Sequence, residues 1–377
     1  MEGYFDHAAT TPLHPAALAE MNRLAQTTFG NASSIHGYGR KAAMELELAR
    51  DVIATSLGVK SHEIIFNSGG TEGDNTAIIG VAMSRKDQGR HIITTAIEHP
   101  AVLEPMHYLE SQGFEVTYLP VNEQGQLSLE DLEAALRKDT ILVSVMFANN
   151  ETGNLLPIKE IGALLQEHPA VFHTDGVQAY GKVPLFPKEL GVDLLSVSAH
   201  KFNGPKGVGF LYKSDQVFLP AYLHGGEQEE KRRAGTENLP GIGGMAKAAS
   251  LLTPEALVEN ATHYQYFSQM LTDALDAAAI NWQLNGDPTN KLSHVLNLRF
   301  PGASNDLLLM KLDLKQLAIS TGSACTAGNV EPSHVLEAMY GKKSAATKES
   351  IRISFGFGNT KEQVQALADS LIAILQK

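Results

Sequence analysis

The sequence predicts an α/β fold: a mostly parallel, seven-stranded sheet with helices on both faces, followed by a smaller α+β region. Between Glu63 and Tyr212 short apolar runs alternate with amphipathic stretches, the strand–helix alternation of parallel sheets. Those runs are too continuously apolar for a sheet with one face in water, so both faces must be covered. After about residue 257 the alternation gives way to a long helix and more widely scattered strands.

Residues 1–15, with Pro12 and Pro15, read as an extended arm, and Gly30 to Gly39 as a polar loop before a helix from about Arg40 to Leu57. Strands are expected at Ile64–Phe66, His91–Thr95, Phe114–Tyr118, Ile141–Phe147, Val171–Thr174, Val192–Ser198 and Val208–Tyr212. The turn Ser68-Gly-Gly-Thr-Glu72 opens a helix through Ile78 and Met83, and Ser128-Leu-Glu-Asp131 has the pattern of a capped helix start. Further on come a helix over Glu259–Ala279, strands at Val295–Phe300, Ala318–Ser320 and Ile351–Ser354, and a last helix from Lys361. The expected division is a large domain, 16–257, and a small domain made of 1–15 with 258–377.

Of 377 residues, 43% are hydrophobic and 19% charged, an ordinary globular profile. The formal net charge of −12 argues against direct nucleic-acid binding and against a polybasic membrane contact. The start, Met1-Glu-Gly-Tyr-Phe-Asp6, has no basic or apolar signal pattern, and no membrane span is expected. A single cysteine, Cys325, excludes an intramolecular disulfide and makes the cytoplasm the simplest location. The 14 histidines form no metal-ligand spacing, so no metal is expected.

Candidate chemistry collects at predicted strand ends. Lys201 follows the run that closes in Ser196-Val-Ser-Ala-His-Lys201, a position where ligands of α/β sheets bind. A desolvated lysine there can attack a carbonyl and form a Schiff base with an aldehyde cofactor. Taken alone it is a solvated turn lysine. Gly70 and Thr71, in the turn opening a helix, can present N–H groups to a phosphate, with Ser198 and His200 as further donors; an ordinary helix start is the alternative. Asp175, directly after a strand, could hold a pyridine nitrogen protonated, or be a plain exposed aspartate. His99, between a strand and a helix, could stack on a flat ring, shuttle protons or cap the helix. Asn150 could reach a substrate carboxylate, and Arg352, a lone cation in an apolar strand, needs a carboxylate partner.

Ile319-Ser-Thr-Gly-Ser-Ala-Cys-Thr-Ala-Gly-Asn329 surrounds the one thiol with small residues, unlike the bulky neighbours of structural cysteines. No adjacent basic residue lowers the pKa of Cys325, which leaves a few per cent thiolate near neutral pH.

The ordered series Asp6-His-Ala-Ala-Thr-Thr-Pro12, Gly30 to His36, Ser68 to Glu72, Glu98-His99, Asn149-Asn-Glu151, His173-Thr-Asp-Gly-Val-Gln178, Ser198-Ala-His-Lys201, Arg233-Ala-Gly-Thr-Glu237, Ser323-Ala-Cys-Thr326 and Ser350-Ile-Arg352 resembles the cysteine desulfurases of the NifS/IscS type. These are fold type I pyridoxal-phosphate enzymes related to class V aminotransferases. The resemblance covers almost the whole chain. It implies a homodimer in which Lys201 links to pyridoxal 5'-phosphate, Asp175 pairs with the ring nitrogen, Gln178 bonds the ring hydroxyl and His99 stacks on the ring. Gly70, Thr71, Ser198 and His200 would hold the phosphate with Thr236 of the neighbouring subunit, and Asn150 and Arg352 would orient the carboxylate of L-cysteine.

The implied reaction turns L-cysteine into L-alanine and leaves the sulfur on Cys325 as a persulfide, with Lys201 and His99 moving protons. Ser323-Ala-Cys-Thr resembles the group whose cysteine rides a long flexible loop. The sulfur would pass to an acceptor protein, an iron–sulfur scaffold or a tRNA thiolase. The expected lack of a C-terminal tail turns the reading away from the scaffold and towards the thiolase. Gly70 replaces an alanine common among relatives, a change of little expected consequence. Transamination, selenocysteine cleavage and a non-catalytic sulfur relay are the rival readings.

Overall fold

The computed structural model describes residues 2–322 and 332–376, so Cys325 lies outside the described residues. Its main sheet has seven strands, in the order Ile64–Asn67, Gly209–Lys213, Leu194–Ser198, Val171–Asp175, Thr140–Ser144, His91–Thr95 and Glu115–Leu119. Gly209–Lys213 runs antiparallel to both neighbours, and every other adjacent pair is parallel. The carboxyl ends of the parallel strands therefore lie along one edge, where the crossover connections leave room for ligands.

Helices cover both faces. One face packs Ile65, Ile92, Leu142, Leu194 and Leu211 against Ala77, Ile78 and Val81 of the helix Gly70–Arg85. The other packs Phe66, Val143, Phe172, Val197 and Phe210 against Leu46, Ile53 and Leu57 of the helix Gly37–Leu57. The alternation of these two sets along each strand is the period of two of a pleated sheet. Gly37–Leu57 ends because Gly58 takes φ 65, a left-handed cap that glycine adopts without strain.

A separate core gathers Phe5, Phe267, Phe300 and Phe355 with Leu271, Leu298 and Leu367. Each fully buried side chain of this size stabilises by roughly 1.5–3 kcal/mol. This core lies between the antiparallel strands Ser350–Ser354, Val295–Arg299 and Gln283–Leu284 and the helices Pro254–Ala277 and Lys361–Leu375. Pro254 starts its helix behind the Thr253 cap, and the buried Tyr264, Phe267, Leu271 and Leu275 recur at helical spacing.

Several element boundaries differ from those the sequence predicts. The helix Pro15–Thr27, capped by His14, is unforeseen because only Ala17 and Leu24 of it are buried, too few to show a stripe. The strand expected to reach Phe147 ends at Ser144; Val145 and Phe147 still donate N–H bonds to His173 and Asp175. The strand expected at Ala318–Ser320 is Leu317–Ala318, which pairs in parallel with Gly3–Tyr4 of the N-terminal arm.

Candidate active site

A cavity of about 610 Å³ opens at the carboxyl edge of the main sheet. Five parallel strands send their following residues into it. Gly70 and Thr71 come after Ile64–Asn67, His99 after His91–Thr95, Asn150 after Thr140–Ser144, Asp175 and Gln178 at and after the end of Val171–Asp175, and Ser198, His200 and Lys201 at and after the end of Leu194–Ser198. Arg352 and Thr236 are not among its lining residues.

Lys201 sits in a short 3-10 turn closing its strand. Its Nζ donates to Ala8 O at 2.6 Å and Ala9 O at 2.9 Å. Burial, then the nearby Arg352 charge, lowers its pKa to about 8, against the opposite pull of Asp175 and Asp6. The two carbonyls hold two of its N–H groups, and the lowered pKa brings the nucleophilic neutral amine within easier reach near neutral pH. The N-terminal turn supplies both carbonyls, a contact invisible at the level of motifs.

Asp175 is 6% exposed and receives the Val177 N–H at 2.8 Å. Burial first, and then the neighbouring Asp74, raises its pKa to about 7. A cationic ring nitrogen set against it would restore the carboxylate. Gln178 is buried and donates to Ala8 O at 2.9 Å, so its amide oxygen is the part left for another partner.

His99 caps the helix Pro100–Ser111, with Nδ1 accepting the Ala101 N–H at 3.1 Å. That bond places the ring proton on Nε2. The ring opens on the cavity, and desolvation by its walls, then the Lys201 charge, lowers its pKa to about 4. His99 is thus a neutral, fixed ring. This geometry suits stacking and hydrogen-bond donation from Nε2.

The helix Gly70–Arg85 has no side-chain cap; Gly69 stands there at φ 143, a conformation restricted to glycine. Its first N–H groups therefore face the cavity together with Thr71, Ser198 and His200. His200, lowered to about 4 by burial and by Lys201, is a neutral donor ring. An uncapped helix start, hydroxyls and a neutral imidazole at one end, a buried carboxyl at the other and an amine between them are the donor set that pyridoxal phosphate requires. Gly70 corrects one expectation: a Cβ there would lie 2.7 Å from Val177 Cγ2, so alanine does not fit unless Val177 moves.

Arg352 is 4% exposed in the strand Ser350–Ser354. Nη2 donates to Asp6 Oδ1 at 2.7 Å and Nη1 to Asn150 O at 2.9 Å, while Nε is buried without a partner. The carboxylate that the strand arginine needs is thus Asp6, and Nε is the donor left over. Asn150 Oδ1 is also buried and unpaired. Arg352 also exchanges both backbone hydrogen bonds with Ser320, close to the start of the thiol segment.

The sequence reading missed Asp74. It lines the cavity, is 1% exposed, and lies 3.4 Å from His173 Nε2, with both carboxyl oxygens unpaired. Burial raises its pKa to about 7. Its signal was present: Asp74, Ala77, Ile78 and Val81 form one buried helical stripe with a carboxylate in it. Among the described residues no group of three or more His, Cys, Asp or Glu side chains could hold a metal ion.

A protein of Dictyoglomus turgidum named cysteine desulfurase IscS is 46% identical over 100% of this chain and 95% of its own length. The solved structure of a NifS-like protein superposes with a TM-score of 0.93 at 37% identity, covering 100% of both chains. Another, described as SspA in complex with cysteine, gives a TM-score of 0.83 at 35% identity over 94% of this chain and 98% of its own. Residues 3–367 match the family described as aminotransferase class-V, and with this site at its sheet edge the chain belongs to that family.

Proposed function

We propose that this protein is a pyridoxal-phosphate-dependent cysteine desulfurase acting on L-cysteine. The observation that carries the reading is Lys201: a buried amine with its pKa lowered to about 8, held by the Ala8 and Ala9 carbonyls, in one cavity with Asp175 and an uncapped helix start. The bound cofactor supplies an electron-withdrawing ring that accepts the electron pair released at the substrate Cα.

The protein's own residues do the rest. Thr71, Ser198, His200 and the helix start anchor the phosphate. Asp175 would keep the ring nitrogen protonated, and Gln178 and His99 would hold the ring. Lys201 would take the substrate Cα proton on its lone pair and return it. Arg352 would supply the charge for the substrate carboxylate, with Asn150, a cavity residue, fastened to it through its backbone carbonyl.

Cys325 takes the sulfur. L-cysteine and the Cys325 thiol become L-alanine and a Cys325 persulfide; the substrate C–S bond breaks, a C–H bond forms on the same carbon, and an S–S bond forms on the enzyme. The persulfide passes to an acceptor protein, an iron–sulfur scaffold or a tRNA thiolase. The subunit divides into 16–257 and 1–15 with 258–377, works as a homodimer in the cytoplasm, and sends Thr236 to the neighbour's phosphate. Exposure of Phe29 (72%), Ile35 (92%) and Phe218 (76%) supports a second copy. No helix among the described residues is long and apolar enough to cross a membrane.

The test is Cys325→Ala. Cofactor binding and its visible absorption should persist while alanine formed from cysteine falls by about 10³-fold, the scale of nucleophile deletions. Alanine production close to that of the unaltered enzyme would remove Cys325 from the reaction.

A further inference from the structure

The segment just before Thr236 is held in an unusual way. Glu229, Glu230 and Lys231 take φ values of 47, 56 and 65 in succession, the left-handed region that residues with a Cβ avoid. Such a run persists only where its surroundings impose it. Here the imposing contact is a buried ion pair. Arg50 Nη1 and Nη2 donate to Glu229 Oε2 and Oε1, each at 2.7 Å, with the side chains 7% and 2% exposed.

Both partners are also tied to the first strand of the main sheet. Glu229 Oε2 accepts the Phe66 N–H at 2.9 Å, and Arg50 Nη1 donates to Ile64 O at 3.1 Å. The Arg50 guanidinium lies 4.6 Å from the centre of the Phe66 ring. A second pair fastens the far end: Arg233 Nε and Nη2 donate to Glu72 Oε1 and Oε2 at 2.8 and 3.2 Å. Glu72 Oε2 also accepts the Ser68 N–H at 2.9 Å, in the turn that faces the phosphate. Gln228 Oε1 closes the loop by accepting the Gly235 N–H at 3.0 Å. The exposed Thr236 follows directly.

We propose that the Arg50–Glu229 and Arg233–Glu72 pairs are positioning residues. They hold the 228–236 arm in its left-handed turn so that Thr236 meets the cofactor phosphate of the neighbouring subunit. The inference rests on the reading that Thr236 acts across the dimer. Glu72 also holds the Ser68 turn of its own subunit's cavity, so the pair that bears on the other site alone, through Thr236, is Arg50–Glu229. A stability role alone would not give this pattern, because a buried ion pair removed as a unit costs little when both partners become apolar.

The test uses retention of cofactor by the holoenzyme, melting of the apoprotein, and hybrid dimers. Glu229→Gln should release pyridoxal phosphate about tenfold faster or more, the loss of one hydrogen bond to a charged group. The double variant Arg50→Met, Glu229→Met should regain the melting temperature but not the retention. In hybrids with a Lys201→Ala subunit, the only intact lysine site belongs to the clamp variant and is served by the partner's normal arm. Retention at that site should return to that of the unaltered enzyme. Thr236→Val should behave the same way in both homodimer and hybrid. If Thr236→Val retains cofactor normally, or is not rescued in the hybrid, the cross-dimer reading falls. If Thr236→Val behaves as expected but Glu229→Gln and the double variant retain cofactor normally, or are not rescued, the clamp inference falls.

Discussion

The cavity floor and the Arg352 region use opposite building rules. On the floor, each functional group follows its own parallel strand, so the sheet's backbone ladder places Lys201, Asp175 and Asn150. Around Arg352, placement depends on groups far apart in sequence: the Asp6 carboxylate and the Asn150 carbonyl receive the guanidinium, and Ser320 pairs with the Arg352 backbone. The floor is fixed by secondary structure and the arginine by a polar network. Replacing the floor's reactive amine should therefore disturb chemistry with little effect on the fold, whereas replacing Arg352 should disturb binding and structure together.

Lys201→Ala tests the first half most strongly. The strand end is unaffected by the change, because Leu194–Ser198 keeps its ladder to both neighbours. Alanine formation from cysteine should fall by about 10⁴-fold or more, as when a covalent group is deleted. The cavity donors Thr71, Ser198 and His200, proposed for the phosphate, remain, so the protein should still hold cofactor noncovalently. Measurable turnover with only a small loss would break the comparison.

Arg352→Gln tests the second half. Losing the charged donor should raise KM for cysteine by about 10- to 100-fold, the worth of a charge-assisted hydrogen bond. Asp6 and the Asn150 carbonyl also lose their donors, so the melting temperature should drop in parallel. A higher KM with unchanged melting would show that the network is not structural.

These two regions were unequally legible in the sequence. Lys201, Asp175 and His99 each stand where an apolar run stops, and a run's end is a local signal. The contacts of Lys201 with Ala8 and Ala9 join residues nearly two hundred positions apart, and no local pattern encodes them. Arg50 and Asp74 were readable and went unread. Each is a charge on a helical stripe whose other members, Leu46, Ile53 and Leu57 or Ala77, Ile78 and Val81, are buried. A charge in such a stripe demands a buried partner or a shifted pKa.

The floor's buried carboxyls give a pH signature. Asp175 has its folded pKa raised, from 3.8 to about 7, so the folded apoprotein keeps a proton that the unfolded chain releases. Stability from this group is fully present at low pH and declines as pH rises from about 4 to about 7. Asp74, raised to about 7, acts in the same direction. Apoprotein melting should therefore be less steep in this window for Asp175→Asn, as followed by calorimetry at several pH values. An unchanged slope would mean that Asp175 titrates normally.

The smallest effect concerns the fit between two floor loops. Gly70→Ala puts a methyl 2.7 Å from Val177 Cγ2, and valine has few alternative rotamers with which to yield. Overpacking of this kind costs about 1–3 kcal/mol, partly offset by the gain of about 1 kcal/mol when alanine replaces glycine in a helix. The single variant should be destabilised by about 1 kcal/mol and lose cofactor a few-fold faster, because Gly70 and Val177 both line the cavity. Val177→Ala removes the obstructing Cγ2, so the double variant should be more stable than the sum of the singles implies, a coupling expected only between touching residues. Calorimetry of the four proteins measures it. Strict additivity would mean that the two strand-end loops do not press on each other, and that the floor is set by its backbone ladder alone.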